Sequence, residues 1–116
     1  VEHHDAVLAA TSHLPHLLAY ALVDMLARLD DSREIFAYAA GGFRDFTRIA
    51  SSDPEMWRDI SLANRDAIVS MLKKYRAEID VLIAAVAAGD GAKLLTLFAR
   101  SKAARDALVT NDQKKD

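Results

Sequence analysis

Two arginines one helical turn apart are the residues of this chain best suited to bind an anion. Arg44 and Arg48 follow the pair Gly41-Gly42, where the backbone can approach a ligand closely. Arginine presents a planar fork of N–H donors that matches a carboxylate, and the N-terminus of the helix predicted there also favours negative charge. Trp57, on the first turn of the next predicted helix, would wall such a pocket. The segment therefore predicts a site for a small carboxylate.

Structural explanations for the same residues stay open. Arg44 and Arg48 also suit a surface salt-bridge ladder, with Asp45 as the partner of one of them. Trp57 would equally suit a core or interface position, because a large aromatic ring buries much apolar surface.

A polar strip is predicted along the first helix. At about 100° per residue, Asp5, Ser12 and His16 fall on one side of a helix, and His13 lies about 80° from Asp5. Polar groups on an inward face need partners. They either bond to one another inside the protein or line a wet cavity.

Metal and catalytic motifs are weak in this sequence. His13 and His16 are three residues apart, whereas four is the usual spacing of a helical metal-binding pair. His3, His4 and Asp5 are similar to the His-Asp pair of metal-dependent phosphohydrolases, without the further ligands at recognisable positions. The sequence has no phosphate loop, dinucleotide fingerprint or nucleophile triad. We expect no metal and no catalytic residue here, and metal analysis would test the alternative of a hydrolase.

Length and composition limit the class of protein. The 116 residues suit one domain, and the absence of cysteine excludes disulfides and thiolate zinc sites. A net charge of −2 gives no basic surface for nucleic acid. No apolar run approaches the roughly 20 residues that span a bilayer, so we expect no membrane partner and a cytoplasmic location. Because the chain starts at Val1, we expect it to be a piece of a longer protein.

Helical periodicity without strand-like alternation predicts an all-α fold. The predicted helices cover residues 2–29, with a kink near 11–15 caused by Pro15, and residues 33–40, 43–50, 54–88 and 91–108. Asp53-Pro54 is typical of a helix start, Gly89 of a helix end, and Asp90 of a cap for the last helix. We expect residues 1–110 to form the domain and residues 111–116 to be a frayed tail.

The helix predicted for residues 54–88 is unusually long for this chain. It would span about 50 Å at 1.5 Å per residue, and residues 79–88 are apolar on nearly every side except at Asp80. In the last helix, the residues expected to face inward are Leu94, Leu95, Leu97, Phe98 and Leu108. We therefore expect a helical bundle with one very long helix, interlocked as a twofold dimer; a monomeric bundle is the alternative.

Three motifs together resemble a known enzyme family. They are Ser12-His13-Leu14-Pro15-His16 after His4-Asp5, the run Gly-Gly-Phe-Arg-Asp-Phe-Thr-Arg-Ile-Ala at residues 41–50, and Asp53-Pro54, Met56-Trp57, Asp59-Ile60 and Asn64. In this order they resemble the C-terminal helical domain of the prephenate/arogenate (cyclohexadienyl) dehydrogenases of tyrosine biosynthesis. The resemblance covers residues 2–108.

The resemblance implies an oxidative decarboxylation that this chain would support without performing it. In that family, hydride leaves C4 of the substrate ring for NAD or NADP, and the ring carboxylate departs as CO2. The cofactor and the catalytic histidine belong to an N-terminal nucleotide-binding domain, so none is expected in this chain. The implied partners are a second copy, that N-terminal domain, prephenate or arogenate as substrate, and tyrosine as inhibitor.

The resemblance also implies roles for individual residues. Arg48 would bind the substrate carboxylate, and His16 would contact the substrate side chain or tyrosine. The residues expected around them are Ser12 and Asp5 at the pocket edge, Gly41 for close backbone approach, Trp57 from the same or the partner subunit, and Arg44, which could instead pair with Asp45. The competing hypothesis is a helical self-association module without a ligand site.

Overall fold

The computed structural model describes the backbone of residues 2–115 and the side chains of residues 2–110. Within residues 2–115 the regular secondary structure is helical, without a strand, so the all-α prediction is confirmed. The elements are α1 (Glu2–Leu8), a π-helical segment (Ala9–His13), α2 (Leu14–Ala27), α3 (Ser32–Ala37), α4 (Gly41–Thr47), a 3-10 segment (Arg48–Ser51), α5 (Pro54–Ala63), α6 (Arg65–Ala87) and α7 (Gly91–Lys115).

The irregularity predicted around Pro15 takes the form of the π-helical segment. Pro15 has no N–H to donate, and its ring presses on the preceding turn. That turn widens, and the N–H of Leu14 donates to the carbonyl of Ala9, five residues earlier. The chain therefore continues as helix from Glu2 to Ala27, with one wide turn in the middle.

This continuous helix corrects the expectation about membrane spans. By length and composition alone, Glu2–Ala27 is long and apolar enough to cross a membrane. Core helices of globular proteins pass the same test, but they are mostly buried, whereas 11% of this window is buried. The second part of the helix, α2, packs against α3, α4 and the 3-10 segment.

Two predicted boundaries near the arginines were wrong. Gly41 and Gly42 do not separate α3 from the next helix, because they form the first turn of α4, and Ala40 provides the extended N-cap. Arg48 does not continue α4; it starts the tighter 3-10 segment that ends at Ser51. The two arginines therefore lie on consecutive elements of different pitch.

The long helix predicted for residues 54–88 is interrupted at Asn64. The Asp53 carboxylate caps its start as predicted, accepting from the N–H of Glu55 at 3.1 Å. At Asn64 the backbone leaves helical geometry, with φ −116° and ψ 40°. The prediction of one continuous helix was therefore wrong, although α6 alone contains 23 residues.

The described residues divide into two compact units within α6, after Lys74. We call residues 2–74 the N-terminal unit and residues 75–115 the C-terminal unit. The N-terminal unit buries Ala9, Ala19, Trp57 and Ile68, and the two alanines are fully enclosed. In the C-terminal unit the buried residue is Ala85.

A glycine turn in the C-terminal unit joins α6 to α7. Gly89 has φ +65°, as predicted for a residue just past a helix end. The N–H of Asp90 donates to the Ala85 carbonyl at 2.9 Å and that of Gly89 to the Val86 carbonyl at 3.1 Å, which satisfies the last carbonyls of α6. Asp90 caps α7 as predicted, accepting from the N–H of Lys93 at 3.1 Å.

The last helix differs from its prediction in two ways. Its backbone is helical as far as Lys115, beyond the expected end at 108 and through most of the segment expected to be frayed. Three of its apolar residues that were expected to face inward, Leu95, Phe98 and Leu108, are exposed. Leu95 and Phe98 form part of the exposed apolar face described below.

Candidate functional site

A cluster of aromatic rings in the N-terminal unit is built around Trp57. The His16 ring stacks on the indole with 3.9 Å between ring centroids and 16° between ring planes. The His13 ring meets the same indole edge-on, at 5.9 Å and 79°. Trp57 is 7% exposed, so the two histidines help to enclose it. The first turn of α5 is thereby joined to the π-helical segment and α2.

Asn64 links the helix break to the same cluster. Its side-chain nitrogen lies 2.9 Å from the Asp5 carbonyl oxygen and 3.2 Å from Nδ1 of His13. Asparagine readily leaves helical geometry, because its amide competes for backbone partners. The bend at the end of α5 therefore brings one amide against both α1 and the π-helical segment.

The His16 ring is also held by its own helix. Its Nδ1 lies 2.9 Å from the carbonyl oxygen of Ser12, one turn earlier. The contact of Ser12 with His16 is thus made by the Ser12 backbone. Ser12, His13 and His16 are all half-buried.

His13 was not among the predicted site residues, and the π-helical segment explains the omission. One wide turn includes an extra residue and rotates all later residues by about 100° relative to a regular α-helix. His13, placed about 80° from Asp5 on a regular helix, thereby comes back toward the Asp5 side. The shared partner Asn64 is consistent with this rotation. Pro15 was the signal of irregularity, but it did not reveal the size of the rotation.

The indole nitrogen of Trp57 is a buried donor without an acceptor among the described residues. Leaving a buried donor unpaired costs about 1–3 kcal/mol. A group outside the described chain, on a ligand or a partner, would remove that cost.

Arg48 lies on a segment that is fastened to α2. The Tyr20 hydroxyl donates to the Ser52 carbonyl at 2.7 Å, and Tyr20 follows His16 by one turn on α2. The 3-10 segment that begins at Arg48 packs against α2. The Arg48 side chain is exposed and forms no ion pair or hydrogen bond with the described residues. A guanidinium is thus available on the element that packs against the helix of His16.

The alternative of a salt bridge between Asp45 and one of the arginines is not borne out among the described side chains. Arg44 instead donates from Nε to the Ala39 carbonyl at 3.3 Å, and the Arg44 side chain is exposed. Among the described side chains, the ion pairs join Asp24 to Arg28, Arg58 to Asp59, and Lys102 to Asp106. Arg44 therefore acts here as a clamp between the start of α4 and the turn before it.

Gly41 and Asp5 are at more open positions. A Cβ atom on Gly41 would meet nothing within 4 Å, so crowding inside this chain does not require glycine there. The half-exposed Asp5 lines an open surface cavity that extends along the α5–α6 junction to Arg65 and Asp66.

Among the described residues, no group of three or more His, Asp or Glu side chains is arranged to hold a metal ion.

Comparison with known proteins gives matches to one protein family. Residues 1–100 match the model of the prephenate dehydrogenase dimerization domain. A cyclohexadienyl dehydrogenase from Zymomonas mobilis is 46% identical over 112 residues, which are 95% of this chain and 38% of that protein.

Two solved structures share the fold. A prephenate dehydrogenase from A. aeolicus, in complex with hydroxyphenyl propionate and NAD+, has a TM-score of 0.85 and 37% identity, over 92% of this chain and 38% of that one. The arogenate dehydrogenase of Synechocystis has a TM-score of 0.86 and 28% identity, over 92% of this chain and 40% of that one. The chain thus spans well under half the length of these relatives, and it belongs to the family of prephenate dehydrogenase dimerization domains.

Proposed function

We propose that this chain is the dimerization and substrate-binding domain of a prephenate or arogenate dehydrogenase acting in tyrosine biosynthesis. The whole enzyme would oxidise and decarboxylate its substrate with NAD or NADP in the cytoplasm. The relatives named above carry these activities in their names, and this chain would supply the helical part of such an enzyme.

The observation that carries the substrate-binding role is the unpaired guanidinium of Arg48. Prephenate and arogenate carry carboxylates, and a bidentate arginine–carboxylate pair gives both affinity and orientation. Arg48 has no carboxylate partner among the described residues, and its segment is held against α2. Arg44 would serve as a support, since its Nε is engaged by the Ala39 carbonyl.

The cluster around Trp57 would form the second side of the site. His16 would hydrogen-bond the substrate or a bound tyrosine, and the unpaired indole N–H of Trp57 would find its acceptor on the ligand or on the partner subunit. Asp5 and Ser12 would bound the site, and Gly41 would allow the ligand to approach the backbone. Ligands are often bound where two domains meet, which fits a site completed by a domain outside this chain.

The nicotinamide cofactor would be bound outside this chain. The sequence lacks the glycine-rich turn that holds a pyrophosphate at a helix N-terminus. When bound, the cofactor would accept the hydride, while residues of this chain hold and orient the substrate. We therefore expect the isolated chain to show no dehydrogenase activity.

Self-association is supported by an exposed apolar face on the C-terminal unit. We define this face by Tyr75, Ile79, Ile83 and Val86 on α6 and by Leu95 and Phe98 on α7. Steps of three and four residues place the α6 members along one side of the helix. Ile83 is 60% exposed and Leu95 is 70% exposed. Exposed apolar patches of this kind mark protein interfaces, and we propose a homodimer.

Replacing Arg48 tests the substrate-binding role. In the longer enzyme that contains this chain, Arg48→Ala should raise the KM for prephenate or arogenate about 10- to 100-fold, because a hydrogen bond to a charged group contributes about 1.5–3 kcal/mol. Steady-state NAD(P)H formation measures the change. Arg48→Lys keeps the charge but loses the fork, so its KM should lie in between.

A matched control separates a site arginine from a surface arginine. Arg33 is exposed on α3, and Arg33→Ala should leave KM unchanged. Equal KM values for Arg48→Ala and the unmodified enzyme would disprove the role of Arg48. In that case the chain would fit better the competing hypothesis of a self-association module without a ligand site.

A further inference from the structure

We propose that Asn64 is a positioning residue for the His16 end of the site. It sets the tautomer of His13, and through the His13–Trp57 contact it holds the surface on which His16 is stacked. The last step, in which His16 meets the ligand, rests on the proposed function. The earlier steps rest on the geometry of the chain itself.

The Asn64 amide determines which nitrogen of His13 carries the proton. An amide nitrogen can only donate, so Nδ1 of His13 must accept at 3.2 Å, and the ring N–H is then on Nε2. The same amide nitrogen donates to the Asp5 carbonyl at 2.9 Å. A flipped amide would set two oxygens against each other at Asp5, so the two contacts together fix the orientation of Asn64.

His16 takes the opposite tautomer. The Ser12 carbonyl can only accept, so Nδ1 of His16 must donate to it at 2.9 Å. Its Nε2 is then the nitrogen without a partner among the described residues. That atom accepts a hydrogen bond when the ring is neutral and donates one when the ring is charged. We assign it as the ligand-binding atom of His16.

The order of contacts explains how Asn64 acts at a distance. Asn64 holds His13, the His13 ring stands edge-on to the indole, and the indole plane lies parallel to His16 at 3.9 Å. The backbone bond to Ser12 fixes one edge of the His16 ring, and the indole fixes its plane. A loose His13 would therefore permit the Trp57–His16 pair to rotate away from a productive orientation.

Histidine tautomers measured by NMR test the first step without any activity assay. With 15N-labelled imidazoles in the 116-residue chain, we expect His13 to carry its proton on Nε2 and His16 on Nδ1. Substitution of each of the four histidines by glutamine assigns the signals.

Asn64→Asp is the informative variant because it changes a donor into an acceptor at nearly constant size. A carboxylate can only accept, so the His13 proton should move to Nδ1 while His16 keeps its tautomer. A protonated Nδ1 on neutral His13 in the unmodified chain would overturn the proposal.

Kinetics of the longer enzyme test the functional step. Asn64→Ala should raise KM about tenfold with kcat changed less than about twofold, because the ligand loses an oriented partner and the redox chemistry lies elsewhere. His13→Phe keeps an aromatic ring against Trp57 but loses the Asn64 bond, so it should raise KM similarly. The double variant should raise KM little beyond either single variant.

Ser61→Ala is the control. Ser61 donates from α5 to the Trp57 carbonyl at 2.7 Å and does not contact His13 or His16 by hydrogen bond, so its KM should not change.

The outcomes separate this proposal from the proposed function. Unchanged KM in Asn64→Ala together with a raised KM in Arg48→Ala would reject Asn64 as a positioning residue and keep the substrate site. An unmodified enzyme that oxidises neither prephenate nor arogenate would reject the proposed function, whereas the tautomer result would still hold or fail by itself.

Discussion

The N-terminal and C-terminal units differ in which side chains they bury. The N-terminal unit encloses a tryptophan between two histidines and joins its elements by polar bonds from Tyr20 and Asn64. Among the residues described in the C-terminal unit, the buried one is the small Ala85, and large apolar side chains such as Ile83 and Leu95 are exposed. The N-terminal unit also exposes apolar side chains, such as Tyr38 and Leu62, but it encloses a large aromatic residue whose indole N–H lacks an acceptor. The C-terminal unit buries no large side chain among the residues described there.

The difference indicates which kind of partner each unit needs. The Arg48 guanidinium and the Trp57 indole N–H are donors without acceptors among the described residues, and a ligand with matching acceptors would pair with them. Exposed apolar side chains are completed by another apolar surface. The family description as a dimerization domain agrees with the second need. Substitutions in each unit should therefore affect different measurements.

The largest effect is expected for a charge placed on the exposed apolar face. Ile83→Asp should weaken the proposed homodimer at least about 100-fold, because an unpaired carboxylate would be desolvated at the centre of an interface. Analytical ultracentrifugation over a range of concentrations measures the dissociation constant. Ala77→Asp introduces the same charge on α6, away from the apolar members, and should change dimerization little. Equal dissociation constants for the two variants would mean that the interface lies elsewhere.

The second prediction concerns the orphan donor of the N-terminal unit. Trp57→Phe keeps an aromatic ring between the histidines but removes the unpaired N–H. Because loss of packing and loss of the unpaired donor oppose each other, the free energy of unfolding should change by less than about 1 kcal/mol. The KM of the longer enzyme should rise about tenfold if the ligand is the acceptor.

Two measurements on the same variant decide the outcome. Denaturant unfolding gives the stability, and steady-state kinetics give KM. A large loss of stability with unchanged KM and unchanged dimerization would mean that Trp57 is only a core residue.

Local capping signals were predictable from sequence, and changes of helical register were not. Asp53-Pro54, Gly89 and Asp90 act through bonds to their immediate neighbours, and all three were predicted correctly. The wide turn before Pro15 and the break at Asn64 depend on which groups meet after folding. A regular helical wheel therefore missed His13, and unbroken apolar periodicity concealed the end of α5.

The arginine segment shows the same distinction. The prediction that Arg44 and Arg48 lie on one helix was wrong, because Arg48 begins the 3-10 segment. The partners of the two arginines are set by tertiary structure. Arg44 bonds to a backbone carbonyl in place of Asp45, and a change to 3-10 geometry separates Arg48 from α4. The exposure of Leu95 and Phe98 was missed for a related reason. An apolar stripe shows that a face needs cover, but it does not show whether the cover comes from the same chain.

The third prediction tests the attachment of the 3-10 segment to α2. Tyr20→Phe removes the donor to the Ser52 carbonyl and should lower the free energy of unfolding by about 1 kcal/mol. Tyr38→Phe is a matched control, since Tyr38 is 81% exposed and its loss of a hydroxyl should have no measurable effect. Denaturant unfolding of both variants gives the comparison. If Tyr20→Phe were as stable as Tyr38→Phe, the bond would not fasten the segment that begins at Arg48.

The smallest change is expected in the stability of Gly41→Ala, which we compare with Gly89→Ala in the C-terminal unit. Gly41 has open space around its Cα and lies in the first turn of α4, so Gly41→Ala should raise the stability by about 0.4–1 kcal/mol through the unfolded state. Gly89 has φ +65°, and Gly89→Ala should instead cost about 1 kcal/mol. Thermal or denaturant unfolding measures both changes. If Gly41→Ala were more stable but raised KM in the longer enzyme, the glycine would be required by the ligand and not by the fold. If KM were unchanged, no close approach of a ligand to Gly41 would occur, and the site would depend on Arg48 and the Trp57 cluster alone.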